Sequence, residues 1–122
     1  MPTDSPADPS PSEPASIELT RPDDWHLHFR DDAMLARVVP YTARVFGRAI
    51  VMPNLDPPVA TVESAERYAK RIRDCVPANV RFTPLMTRYL TEAMTADEIA
   101  RASASTEAHG GNLYPKGATT NS

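Results

Sequence analysis

A chain of 122 residues is one small domain at most. Thirteen basic against sixteen acidic residues, a formal net charge of −3, exclude a strongly basic nucleic-acid binder. A single cysteine, Cys75, excludes an intrachain disulfide framework and a multi-cysteine zinc site, and apolar runs of four or five residues exclude a membrane span.

Residues 1–16 read as a disordered tail. Twelve of these sixteen are Pro, Ser, Asp or Glu, too few apolar groups to offset the entropy of ordering. Its three acids carry the whole net charge, so residues 17–122 are formally neutral. No basic segment followed by an apolar one opens the chain, so no signal peptide is expected. The expected compartment is the cytoplasm, which one free cysteine also suits.

Trp25 to Arg30 alternates and predicts a first strand. Asp31 or Asp32 can cap a helix carrying Met34, Leu35, Val38 and Val39. Pro40 should kink or restart that helix, and Gly47 should stop it. Arg48 to Met52 is a short buried strand, closed by Pro53. Thr61 can cap a second helix whose apolar face is Val62, Ala65, Ala69, Ile72 and Val76, ended by Pro77. Val80 to Met86 is a third strand. Thr95-x-x-Glu98 is a capping box opening a third helix through about Ser103. Asn112-Leu113-Tyr114 begins a fourth strand.

The order β-α-β-α-β-α-β with short connections predicts parallel βαβ units and an α/β fold. Three and a half units cannot close an eight-stranded barrel, which needs roughly 250 residues. They can form a small open sheet or the first half of something larger.

His26-Leu27-His28 is the sharpest chemical feature. On a strand, residues i and i+2 share a face, so both imidazoles converge while Leu27 points toward the helices. Arg30 has the same parity. Neutral imidazoles suit zinc, and two at this spacing can share an ion. Equally, they can be hydrogen-bonded histidines at a strand end. Function gathers at the C-terminal ends of strands in βα architectures. That singles out His28 and Arg30 after the first strand, and Asn54 after the second. Thr87 and Tyr89 follow the third, Tyr114 and Thr119-Thr120-Asn121 the fourth. Arg30 offers a planar fork for a carboxylate, and Asn54 offers a donor and an acceptor or serves a Pro-Asn turn. His109, in a polar Gly-rich stretch, reads as solvated. Cys75 reads as packing, and Arg67, Lys70, Arg71 and Arg73 read as a solvated helix face. Lys116 is isolated and has no role.

Four segments then resemble one family. Arg21-Pro-Asp-Asp-Trp-His-Leu-His-Phe-Arg30 is similar to the first-strand signature of the single-function bacterial dihydroorotases, of the amidohydrolase superfamily. Arg48-Ala-Ile-Val-Met-Pro-Asn54 resembles their second strand, and Phe82-Thr-Pro-Leu-Met-Thr87 their third. Leu113-Tyr-Pro-Lys-Gly-Ala-Thr-Thr-Asn-Ser122 resembles the fourth strand and the loop after it. Together the motifs cover about residues 18–122.

The resemblance implies the N-terminal half of a (β/α)8 TIM barrel over residues 17–122, following the tail. It implies reversible cyclisation of N-carbamoyl-L-aspartate to L-dihydroorotate, with two zinc ions, in pyrimidine biosynthesis. It further implies that His26 and His28 ligate the more buried zinc. Arg30 and Asn54 would hold the substrate carboxylate, and Thr119 and Thr120 would close over it. No nucleic-acid or membrane partner is implied, and the full-length family suggests a homodimer.

Two features depart from the pattern. Asn112 stands where the family has the carboxylated lysine that bridges the zinc ions, and an amide supplies no anionic bridge. The later histidine ligands and the acid/base aspartate have no counterpart in these residues, so the 122 residues alone are expected to be inactive and poorly soluble. The readings carried forward are a dihydroorotase of which this is the N-terminal half, and a non-catalytic truncated paralogue or interaction protein. A small module binding metal through His26 and His28 ranks last.

Overall fold

The computed structural model describes residues 15–117. The expected tail lies outside the described residues, except for Ala15 and Ser16, which have no regular structure; Thr119, Thr120 and Asn121 also lie outside them. Four strands alternate with three helices: β1 (Asp24–Leu27), α1 (Leu35–Val45), β2 (Arg48–Val51), α2 (Val62–Asp74), β3 (Thr83–Tyr89), α3 (Ala96–Ala104) and β4 (Ala108–Asn112). All strand pairs are parallel, and the sheet order β1-β2-β3-β4 follows the sequence. Sequential parallel order is the winding of a βα barrel, here with four of eight strands.

The first helix differs from expectation at its start, and it does not restart at Pro40. A 3₁₀ turn at Asp32–Met34 precedes α1, and neither Asp31 nor Met34 makes a side-chain cap. The Asp31 carboxylate is instead bonded to Arg71. Pro40 lies inside α1, which continues through it. Proline costs one backbone bond there. Val39 and Ala43, both wholly buried, hold the helix against the sheet on either side.

Helix α2 opens as Thr61 predicts, with a reciprocal box. Ser64 N–H donates to Thr61 Oγ1 (3.1 Å) and Thr61 N–H donates to Ser64 Oγ (3.0 Å). Its buried face is Val62, Ala65, Tyr68, Ala69 and Ile72. Tyr68 belongs to that face in addition to the residues the spacing named, and Val76 lies beyond the helix end. The helix ends at Asp74, before Pro77, because a residue preceding proline is pushed out of the helical region. Cys75 caps it, partly buried against the core.

The third strand lies three residues beyond its expected place. Val80 is turned back on Pro77, its N–H donating to Pro77 O (2.9 Å). Pairing with β2 then begins at Arg48↔Thr83 and runs to Val51↔Met86. The polar pair Thr87-Arg88 stays in the strand because both side chains find partners inward. Thr87 Oγ1 donates to Val51 O (2.6 Å), and Arg88 reaches the α3 residue Glu98.

The expected capping box of α3 forms by half. Glu98 N–H donates to Thr95 Oγ1 (3.2 Å). The Glu98 carboxylate turns away to accept Val62 N–H (3.2 Å) and to face Arg88 (3.5 Å), tying three elements together.

The fourth strand starts four residues before Asn112 and ends on it. Glycines read as a loop are strand here because the backbone must pass close to Leu90: a Cβ on Gly111 would meet Leu90 Cδ2 at 2.6 Å. Met86 pairs with Ala108 and Thr87 with Gly110, leaving His109 as a bulge. The bulge resets the alternation, so Asn112 pairs with Tyr89.

The main core lies between sheet and helices. Phe29, Leu35, Val39, Val51, Tyr68, Ile72 and Met86 are buried there. A small second cluster, Val62, Ala102 and Ala108, lies under α3. The opposite face of the sheet, the interior side of a barrel, carries a cavity of about 350 Å³ lined by residues from all four strands.

Candidate metal and carboxylate site

β1 builds the first part of the site. Asp24 pairs with Ala49 and Leu27 with Val51, three steps on β1 against two on β2. That irregularity lets adjacent Trp25 and His26 both line the interior cavity. Leu27 and Phe29 pack outward against the helices, which leaves His28 on the inner side with His26.

The two imidazoles meet directly, with Nε2 to Nε2 at 3.1 Å and ring centroids 5.0 Å apart. Asn54, buried at 2% exposure, sets the arrangement. Its Oδ1 accepts from His28 Nδ1 at 2.8 Å. The Nδ1 proton leaves the His28 Nε2 lone pair directed at His26, the tautomer a metal requires. Burial lowers the His28 pKa below 6.5; the bond to Asn54 opposes this, and the charges of His26 and Arg30 add to the lowering. The ring is therefore neutral and ligand-competent at pH 7.

Two ligands on a tetrahedral zinc, each about 2.0–2.1 Å from it, stand about 3.3 Å apart. The histidine pair fits such an ion on its spacing and on its tautomer. The bridge position does not fit. Asn112, half-buried across the cavity from His26, donates its amide to Met52 Sδ (2.9 Å) and sits 3.5 Å from Tyr114 Oη. It brings no negative charge. Among the described residues, no group of three or more His, Cys, Asp or Glu side chains is placed to hold a metal.

Arg30 follows β1 in a left-handed backbone conformation, φ 67°. It lies two residues beyond His28, and its charge adds to the lowering of the His28 pKa. Tyr89 stacks on Tyr114 at 4.9 Å at the rim.

The structure thus brings His26, His28 and Asn54 into contact and puts Asn112 on the same cavity. Thr87 is internal to β3 and occupied by Val51. His109 is exposed as expected but lies in β4, where it lines the cavity with His26. The arginine-rich face of α2 is exposed as expected, and on it Arg71 pairs with Asp31 and Arg73 with Glu107. Three residues escaped the sequence reading: Trp25, Met52 and Tyr68. Strand parity excluded Trp25 because a bulge leaves no local mark. Met52 reads only as the end of a buried strand, and nothing in the sequence singles out Tyr68.

A parallel sheet wound in sequence order, with paired imidazoles on its interior face, defines this as part of a βα-barrel scaffold. No family model matches the chain. Sequence relatives do. The dihydroorotase of Cupriavidus necator is 61% identical over 106 residues, 87% of this chain and 31% of that protein. The dihydroorotase of Alkalilimnicola ehrlichii is 59% identical over the same shares. Among solved structures, the Campylobacter jejuni dihydroorotase superposes with TM-score 0.76 at 40% identity, covering 84% of this chain and 29% of that one. The Saccharomyces cerevisiae dihydroorotase, solved in complex with 5-fluoroorotic acid, gives 0.78 at 36% identity over 87% and 29%. The chain is thus similar over most of its length to dihydroorotases, and it spans about a third of the length of the curated relatives it matches.

Proposed function

We propose that residues 17–122 supply the first four strands of a dihydroorotase active site, following an extension over residues 1–16. The reaction is the zinc-dependent, reversible cyclisation of N-carbamoyl-L-aspartate to L-dihydroorotate in pyrimidine biosynthesis. His26 and His28 are the zinc ligands of this segment, Arg30 and Asn54 hold the substrate carboxylate, and Thr119 and Thr120 belong to the loop over it. The observation that carries this reading is the Nε2–Nε2 pair whose tautomer Asn54 fixes, in a chain about 60% identical to dihydroorotases.

Held by His26 and His28, a zinc ion would supply activation of water in the hydrolytic direction and Lewis-acid polarisation of a carbonyl. The chain's own residues orient the reactants. Asn54 holds the His28 proton on Nδ1, and Arg30 offers two parallel donors to a carboxylate. Asn112 supports a second reading, a non-catalytic paralogue, because it supplies no anion where the family has its bridging lysine. The full enzyme acts as a homodimer in the cytoplasm under the first reading. No helix among the described residues is long and apolar enough to cross a membrane.

Equilibrium dialysis against zinc tests the metal role. The 122-residue chain should retain zinc weakly, and His26→Ala or His28→Ala should abolish retention. Equal retention by both variants sinks the assignment. The purified chain alone should show no dihydroorotase turnover, because the remaining ligands and the acid/base aspartate are not among its residues. Metal-dependent turnover above background would overturn that.

A further inference from the structure

Arg30 and Asp32 both adopt left-handed backbone conformations, φ 67° and 52°. Neither is a glycine or asparagine, so the loop between β1 and α1 is strained and must be held by its surroundings. Helix α2 holds it at two points. Tyr68, wholly buried, donates its hydroxyl to the Arg30 carbonyl. Arg71, three residues on and therefore on the same helix face, grips Asp31 with two bonds of 2.9 and 2.6 Å. The Arg71 guanidinium lies 5.3 Å from the Tyr68 ring centroid, so the two contacts brace each other.

The geometry points to Tyr68 as a positioning residue. We propose that its hydroxyl, by holding the Arg30 carbonyl, fixes the left-handed turn from which Arg30 offers its guanidinium to a carboxylate. The hydroxyl has no other evident task, since a phenylalanine would fill the same core space. Rotating Arg30 out of the left-handed region would swing its carbonyl away from α2 and re-aim the side chain. Burial pushes the Tyr68 pKa up, so the group stays protonated and remains a donor at any pH the fold survives. The proposal rests on the reading of Arg30 as the carboxylate holder.

The test uses the 122-residue chain with N-carbamoyl-L-aspartate as probe, titrated by calorimetry, and the Arg30 backbone coupling constant read by NMR. Tyr68→Phe should move Arg30 out of the left-handed region and weaken probe binding about fivefold, the worth of roughly one hydrogen bond. It should add nothing in an Arg30→Gln background, because Tyr68 acts through Arg30. Unchanged affinity and unchanged Arg30 coupling in Tyr68→Phe overturn the proposal. So does a right-handed or extended Arg30 in the unsubstituted chain, a result that needs no variant. Failure of the carboxylate reading looks different: the probe then binds Arg30→Gln as well as the unsubstituted chain, or binds neither, while the coupling constant still decides the role of Tyr68.

Discussion

The two ends of the sheet are built to different standards. At β1–β2, the site residues rest on the main core; α2 holds the loop after β1 through Tyr68 and Arg71, and Asn54, from the loop after β2, holds His28. At β3–β4, the backing is a three-residue cluster of Val62, Ala102 and Ala108, and β4 carries two glycines and a bulge. A cavity of about 300 Å³ opens between β4 and α3, and the buried Nε of Arg88 has no hydrogen-bond partner. An ion pair there stands where apolar packing fills the other end. The difference teaches that a half-sheet can back its histidine pair with a full apolar core while the strand that ends on Asn112 has only a small cluster behind it.

Substitutions in the two halves should separate these standards. Tyr68→Ala removes a wholly buried aromatic side chain and should cost about 3–5 kcal/mol, read as a lowered urea midpoint. A shift under 1 kcal/mol would mean that the β1–β2 half is no better packed than the other. Next, Glu98→Ala strands the Arg88 charge in the interior and should cost about 3 kcal/mol. Arg88→Leu, which removes the need for that partner, should be neutral or stabilising. If Arg88→Leu costs as much as Glu98→Ala, the ion pair itself holds β3 to α3.

Smaller effects sharpen the contrast at the helix starts. Thr61→Ala breaks a two-way box and should cost about 1 kcal/mol. Thr95→Ala breaks a one-way cap and should cost less, with both changes followed by helical circular dichroism on heating. The smallest effect belongs to Asp31. Burial pushes its carboxyl up, but the bonds from Arg71 prevail and hold it below 3.8. A carboxylate with a lowered folded pKa contributes stability above its unfolded value, and loses it as pH falls through the folded one. Asp31→Asn should therefore cost under about 1 kcal/mol at pH 7, since the pair is partly solvated. Its deficit should shrink as pH falls below 3.8 and be gone once the folded carboxyl is protonated. A deficit that persists at pH 2 would assign Asp31 a role other than its charge.

Much of the fold was legible in the residues. Element order, the parallel winding, the Thr61 cap and the face of α2 follow from local periodicity and capping chemistry. What was illegible shares one cause. The shift of β3, the glycine-rich β4 and the passage of α1 through Pro40 are decided by neighbours distant in the chain. Glu98 likewise reads as half of a local box, yet bonds Val62 across 36 residues.

The site divides the same way. Residues i and i+2 on a strand share a face by backbone geometry, so the sequence alone determined that His26 and His28 converge. It also determined that Asn112 brings no anion, because that is a matter of functional group. Only the tertiary structure decided which imidazole nitrogen presents a lone pair, since Asn54 comes from another strand's end. It alone put Asn112 on the same cavity as His26, through a bulge at His109, and set Tyr68 behind Arg30. Such pairings depend on strand register and helix docking, which are collective outcomes of burying one core and leave no mark on any single segment.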